Sequence, residues 1–229
     1  MQQSRFARRL RPLGCILIVG AVPTCGNEDP VSPPRSGSLF IPANAPTVEG
    51  NSMHPAPFKA TAGRFQTVYG ATLLASLPSG ARLIGMRFRL DESQTRFPAV
   101  TTSDLEIRLS TSQRPPGSLS TTFADNRGSD EVVARTGPLT IAPADYSIGS
   151  SPNAFGPVIT FTQPFTYRGG ALLLEVAHAA FPSSRGTDHV APATGSQSGY
   201  GVANGFNSTT ADLGMYADLI VVEYVFVRP

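Results

Sequence analysis

The strongest constraint on the fold is a two-residue rhythm. In Arg82-Leu83-Ile84-Gly85-Met86-Arg87-Phe88-Arg89-Leu90, the apolar residues Ile84, Met86, Phe88 and Leu90 alternate with Gly85, Arg87 and Arg89. From Asp104 to Ser110, Leu105, Ile107 and Leu109 face one way and Glu106 and Arg108 the other. Successive side chains of an extended chain point to opposite sides, so this period puts one row on a core and the other in water. Val158 to Thr162, Ala171 to His178 and Leu219 to Val227 repeat it, with Glu175 and Glu223 on the outward rows. Leu39 to Ile41, Phe65 to Tyr69, Glu131 to Arg135 and Leu139 to Ile141 are shorter runs of the same kind.

Between the runs stand turn formers: Pro115-Pro116-Gly117, Asn126-Arg127-Gly128, Arg168-Gly169-Gly170 and Ser183 to Gly186. With 22 Gly and 21 Pro, long helices have little room, and only Ala71 to Leu77 and Ser118 to Ala124 suggest short helical turns. Many short, half-polar strands joined by polar turns predict an all-β chain built as a two-sheet antiparallel sandwich. No internal repeat supports a propeller.

The N-terminus has the layout of an export signal. Arg5, Arg8, Arg9 and Arg11 precede the apolar run Leu13 to Val22, which is too short to span a bilayer and ends at Pro23-Thr24-Cys25. Two processing sites compete: after Val19-Gly20-Ala21, or before Cys25 as the lipidated first residue of a bacterial lipoprotein. Either removes Cys15, so the mature chain has no internal disulfide. Residues 1–25 are thus read as signal, 26–38 as a polar tether, and 39–229 as one sandwich domain. About 190 residues suit a single core. The expected location is extracellular or in the cell envelope, periplasmic or as an outer-membrane lipoprotein, and the only membrane attachment expected is a lipid on Cys25.

The net charge of +2 misleads, because four of the 18 basic residues lie in the signal and all 16 acids follow it. The exported part carries 14 basic and 16 acidic groups, with Lys59 its one lysine. That balance gives no basic face for nucleic acid.

Several segments together resemble a group of uncharacterised bacterial secreted proteins, many of which end in a PEP-type C-terminal sorting tail. They are Ile41-Pro42 with Glu49-Gly50-Asn51-Ser52, Arg64 to Tyr69, Met86 to Asp91, Leu105 to Ser112, Phe123-Ala124-Asp125-Asn126 and Ala171 to Val176. The resemblance implies a jelly-roll-like β-sandwich outside the cell and no activity. The chain stops at Val227-Arg228-Pro229 without such a tail, which directs the anchoring expectation to Cys25.

Few residues offer chemistry. His54, His178 and His189 are far apart in sequence, with none of the close spacing of a zinc site, and His178 reads as an ordinary strand end. Gly50-Asn51-Ser52-Met53-His54 is superficially like a nucleophile elbow. It lacks the final Gly, and Pro55 and Pro57 block the helix that should follow. Gly199-Tyr200-Gly201 reads as a turn between strands rather than a dinucleotide motif. Calcium is the one candidate cofactor, at Asp125, Asn126 and Asp130, where oxygen ligands gather about a glycine turn. Against it stand the nearby Arg127 and the alternative of a solvated turn with capping side chains.

Glycoside hydrolysis needs two acids across a cleft, but Glu106, Glu175 and Glu223 all read as outward, solvated residues. A sugar platform would draw on Tyr69, Tyr146, Tyr167, Tyr200 or Tyr216, since Trp is absent. The polar stretch Pro182 to Asn207 is the place expected for a ligand loop or a flexible connection. The function expected is therefore a non-catalytic envelope or matrix domain binding polysaccharide or a surface protein weakly. The alternative is a secreted glycan hydrolase.

Overall fold

The computed structural model describes residues 35–191, 198–216 and 218–229. Residues 1–34, with Cys25 and the whole signal, lie outside them. In chain order the strands are β1 (Ser36–Ile41), β2 (Ser52–His54), β3 (Gly63–Tyr69), β4 (Arg82–Phe88), β5 (Val100–Thr102), β6 (Leu105–Thr111), β7 (Val132–Arg135) and β8 (Leu139–Ile141). There follow β9 (Ile159–Thr166), β10 (Leu172–His178), β11 (Thr187–Val190), β12 (Ser198–Asn204), β13 (Leu213–Tyr216), β14 (Leu219–Ile220) and β15 (Val222–Val227). Two 3-10 turns, Ala71–Leu74 and Phe123–Asn126, are the helical content of the described residues. No helix among them is long and apolar enough to cross a membrane.

The fold is all-β and antiparallel throughout its ladders. One sheet runs β1-β15-β4-β9, a second β13-β12-β3-β10-β6-β7, and two small ones β14-β11-β2 and β5-β8. The alternating rows explain the sandwich. Leu39, Ile41, Leu83, Met86, Phe88, Tyr224 and Phe226 from the first sheet share one core with Phe65, Tyr69, Ile107, Leu109, Leu172, Leu174 and Val176 from the second. The rings of Tyr69 and Tyr224 meet edge to face across it, with centroids 6.1 Å apart. At one border the sheets approach, where Thr162 Oγ1 of β9 donates to Ala134 O of β7.

Three expectations change. β1 begins at Ser36, inside the stretch read as tether, because Ser36 to Ser38 pair with Val225 to Val227. The second helical turn falls at Phe123–Asn126, later than Ser118. The supposed loop Pro182 to Asn207 holds β11 and β12, and Gly199-Tyr200-Gly201 is part of β12, paired to Val68, Thr67 and Gln66 of β3. Pairing with a distant strand, which no local pattern announces, orders these polar residues.

The larger correction concerns the outward rows. β3 and β10 are buried on both faces. The segment around Leu119 and Phe123 lies over the outer face of the six-stranded sheet, with Leu119 packed on Val68 and Leu173. This cover is itself tied to the segment after β12: Phe123 N donates to Thr209 O and Ala211 N to Thr121 O.

Candidate functional site

Glu175, expected in water, is 1% exposed. Its carboxylate accepts from Arg64 Nη1, from Gln66 Nε2 at 2.5 Å, and from Arg127 Nε and Nη2 at 2.8 and 2.7 Å. Asn126 Nδ2 donates to Gln66 Oε1, which joins the covering turn to the sheet. Glu223 is buried as well, accepting from Ser38 Oγ and Arg87 Nη1, while Glu106 accepts from Arg108 Nε. Glu175 and Glu223 are therefore buried ion-pair members, and the half-buried Glu106 is an ion-pair member at the rim rather than an isolated solvated acid. Beside the Glu175 network a recess of about 160 Å³ is bordered by Arg64, Phe123, Arg127 and Thr209. It is below the roughly 300 Å³ at which small-molecule pockets begin.

The loop read as a calcium candidate uses its oxygens on protein donors. Asp125 Oδ2 accepts from Ser120 Oγ, Asn126 Oδ1 from Ser120 N, and the two Asp130 oxygens from Thr111 N and Oγ1. Arg127 turns away to Glu175. Loop capping of this kind is what short polar side chains do in turns.

Among the described residues the acids that converge are others. Glu49, Asp91 and Asp188 each bring a carboxylate oxygen within 4.8 Å of the other two. They come from three segments: the β1–β2 loop, the stretch after β4, and β11. The stretch after β4 runs against β11, with Asp91 N donating to Gly186 O and Asp188 N to Arg89 O. Arg89, 1% exposed, is the cation at the centre. Its Nε and Nη2 donate to Asp188 Oδ2, its Nη1 to Ala45 O and its Nη2 to Val48 O, while its guanidinium lies 5.3 Å from the Phe155 ring centre. A planar donor fork suits this convergence, which ties the β1–β2 loop to β11 and to the residue after β4. Asn51 completes the tie, its side chain exchanging two hydrogen bonds with the backbone of Ala191.

Each carboxylate of the trio is anchored through one oxygen. Glu92 N donates to Glu49 Oε1, Ser93 N and Oγ to Asp91 Oδ1, and Arg89 with Gly50 N to Asp188 Oδ2. Burial, then the charge of Asp188, raises the Glu49 pKa. Burial raises that of Asp188 too, against the opposing pull of Arg89. Of the three, Glu49 borders an adjoining cleft of about 220 Å³, whose wall includes Pro42, Val48, Asn51, Val190 and Leu219.

Next to it the sheet brings together histidines the sequence separates. β2 and β11 pair Thr187 with His54 and His189 with Ser52, and the rings of His54 and His189 lie 5.7 Å apart. His189 Nδ1 is 3.0 Å from Asp218 Oδ2, and its Nε2 3.1 Å from Thr187 Oγ1. The order acid, imidazole, hydroxyl is that of a nucleophile relay. Here Thr187 and His189 are both 0% exposed, and Thr187 Oγ1 lies 2.6 Å from its acceptor Ala56 O. The arrangement braces β11 against the chain after β2 and gives a substrate no approach. Ser52 sits within a strand, not at a strand-to-helix elbow.

His178 ends β10 in the core, 5.7 Å from the Phe181 ring, and burial lowers its pKa. Tyr69, Tyr146 and Tyr167 are buried and form no sugar platform; the side chains of Tyr200 and Tyr216 lie outside the described set. The trio escaped sequence reading because its members are 42 and 97 positions apart, though each lies in or beside a polar interruption of an apolar run. The fold and these sites define an antiparallel β-sandwich with ion-paired outer faces. No protein-family profile and no curated protein sequence matches the chain.

Proposed function

We propose that this protein is a non-catalytic, exported domain of the cell envelope or extracellular matrix, a rigid sandwich that presents loops to polysaccharide or to a surface protein. The observation that carries this reading is how the reactive groups are spent. The Asp218–His189–Thr187 chain is buried, and Glu175 is saturated by two arginines and a glutamine. Such networks favour rigidity and a single arrangement over turnover. The basic head and short apolar run at the N-terminus support export, and Cys25 is the proposed lipid-bearing residue. A glycan hydrolase would need two carboxylates flanking an open groove; of the converging acids Glu49 alone borders the cleft.

The test is a glycan array together with pull-down on washed envelopes, using the processed protein. Saturable capture of a glycan or of one surface protein is expected. Blank results in both at high protein concentration, or release of reducing sugar from the glycans, overturn the proposal. Mass measurement of the mature N-terminus decides between a lipidated Cys25 and cleavage after Ala21.

A further inference from the structure

Two buried oxygens at the carboxylate trio have no hydrogen-bond partner: Glu49 Oε2 and Asp188 Oδ1. Asp188 is 0% exposed, so water does not compensate this atom. A buried carboxylate oxygen without a partner carries an uncompensated desolvation cost, and here two members of one acidic trio each hold such an atom. Formal charge sharpens the imbalance, since Arg89 is one cation among three acids.

Gly50 packs closely at the same place. A Cβ there would stand 2.1 Å from Asp188 Oδ1 and 2.0 Å from His189 O. Only a glycine lets the β1–β2 loop approach Asp188 and the backbone of β11 this closely.

We propose that Glu49, Asp91 and Asp188 bind a calcium ion, with water completing the shell. All the donors are oxygen, which selects a hard cation. Calcium takes oxygens at about 2.3–2.6 Å in loose geometry, so ligands on opposite sides of it stand about 4.6–5.2 Å apart. The trio's oxygens lie within 4.8 Å of one another and fit that shell. The ion neutralises the two negative charges that Arg89 leaves over, and it staples the β1–β2 loop and the stretch after β4 to β11. The 220 Å³ cleft bordered by Glu49 gives it an entry path. This site is separate from the Asp125–Asp130 loop and does not depend on the envelope reading.

The experiment is thermal melting of the processed protein at pH 7.5 in chelator and in 10 mM calcium, beside Glu49→Gln and Asp125→Asn, with titration calorimetry for stoichiometry. An affinity near 10⁻⁴ M, within the range of calcium sites, raises Tm by about 5–10 °C at this concentration. Calorimetry should give one ion per chain. Glu49→Gln should lose most of the shift while melting no lower than wild type in chelator, because it removes repulsion and keeps shape. Asp125→Asn should keep the full shift. An unmoved wild-type Tm, a full shift retained by Glu49→Gln, loss of the shift in Asp125→Asn instead, or an equal shift from magnesium would each overturn the assignment.

Discussion

Replacing Glu175 by alanine removes the acceptor of four hydrogen bonds and leaves Arg64 and Arg127 facing each other across the outer side of the sheet. Breaking a buried ion pair by deleting one partner costs about 3–5 kcal/mol, since a charge stays buried and unpaired. Some compensation remains. Arg64 still donates to Phe206 O, and Arg127 lies 3.5 Å from Glu131. We therefore expect the lower end, about 3 kcal/mol. Urea unfolding should report it as a lower midpoint at unchanged slope, and melting as a Tm lower by about 6–12 °C for a domain of this size. Replacing Arg64, Glu175 and Arg127 together by leucine should recover most of the loss, because no charge is then stranded. A Glu175→Ala protein within about 0.5 kcal/mol of wild type would behave like a surface substitution and refute the claim that the Phe123 segment seals this face.

Two further perturbations bear on the loop end. Burial, and secondarily the His189 ring, lowers the His54 pKa from 6.5 to about 4. His54 is then neutral in the folded state, and its contribution is complete above pH 6.5 and lost as pH falls toward 4, at up to about 1.4 kcal/mol per pH unit. His54→Gln should flatten that acid limb in pH-dependent urea melts, and identical slopes in variant and wild type would count against the assignment. Glu49 and Asp188 weigh the other way, their raised values favouring the fold at low pH, so the comparison must be between variant and parent at each pH. Gly50→Ala puts a methyl group on His189 O and Asp188 Oδ1. It should destabilise by about 1–3 kcal/mol, and a Tm unchanged to within about 1 °C would contradict the close approach of the β1–β2 loop to β11.

How much was legible differs from element to element. The cores of β6, β10 and β15 could be read from their alternation, because a half-buried strand writes its two faces into successive residues, whereas in β4 a register shift between Leu83 and Gly85 puts Leu83 in the core and leaves the expected Ile84 half-buried. β11 could not: Thr187, Asp188 and His189 are polar, yet all are buried, and partners on β2, on β14 and at Arg89 hold them there. Glu175 was placed on the correct side of its strand and in the wrong medium. Local pattern tells which way a side chain points, and a segment some 50 residues earlier decides whether water is there.

The order of residues alone therefore determined an antiparallel all-β sandwich and most of the inward row of its strands, since a period of two lets an extended chain bury one row. The tertiary structure alone decided that a second layer of chain covers an outer face, and that Glu49, Asp91 and Asp188 meet around Arg89. Those contacts join segments with no local relation, and charge buried at such a junction must find its counter-charge across space rather than along the chain.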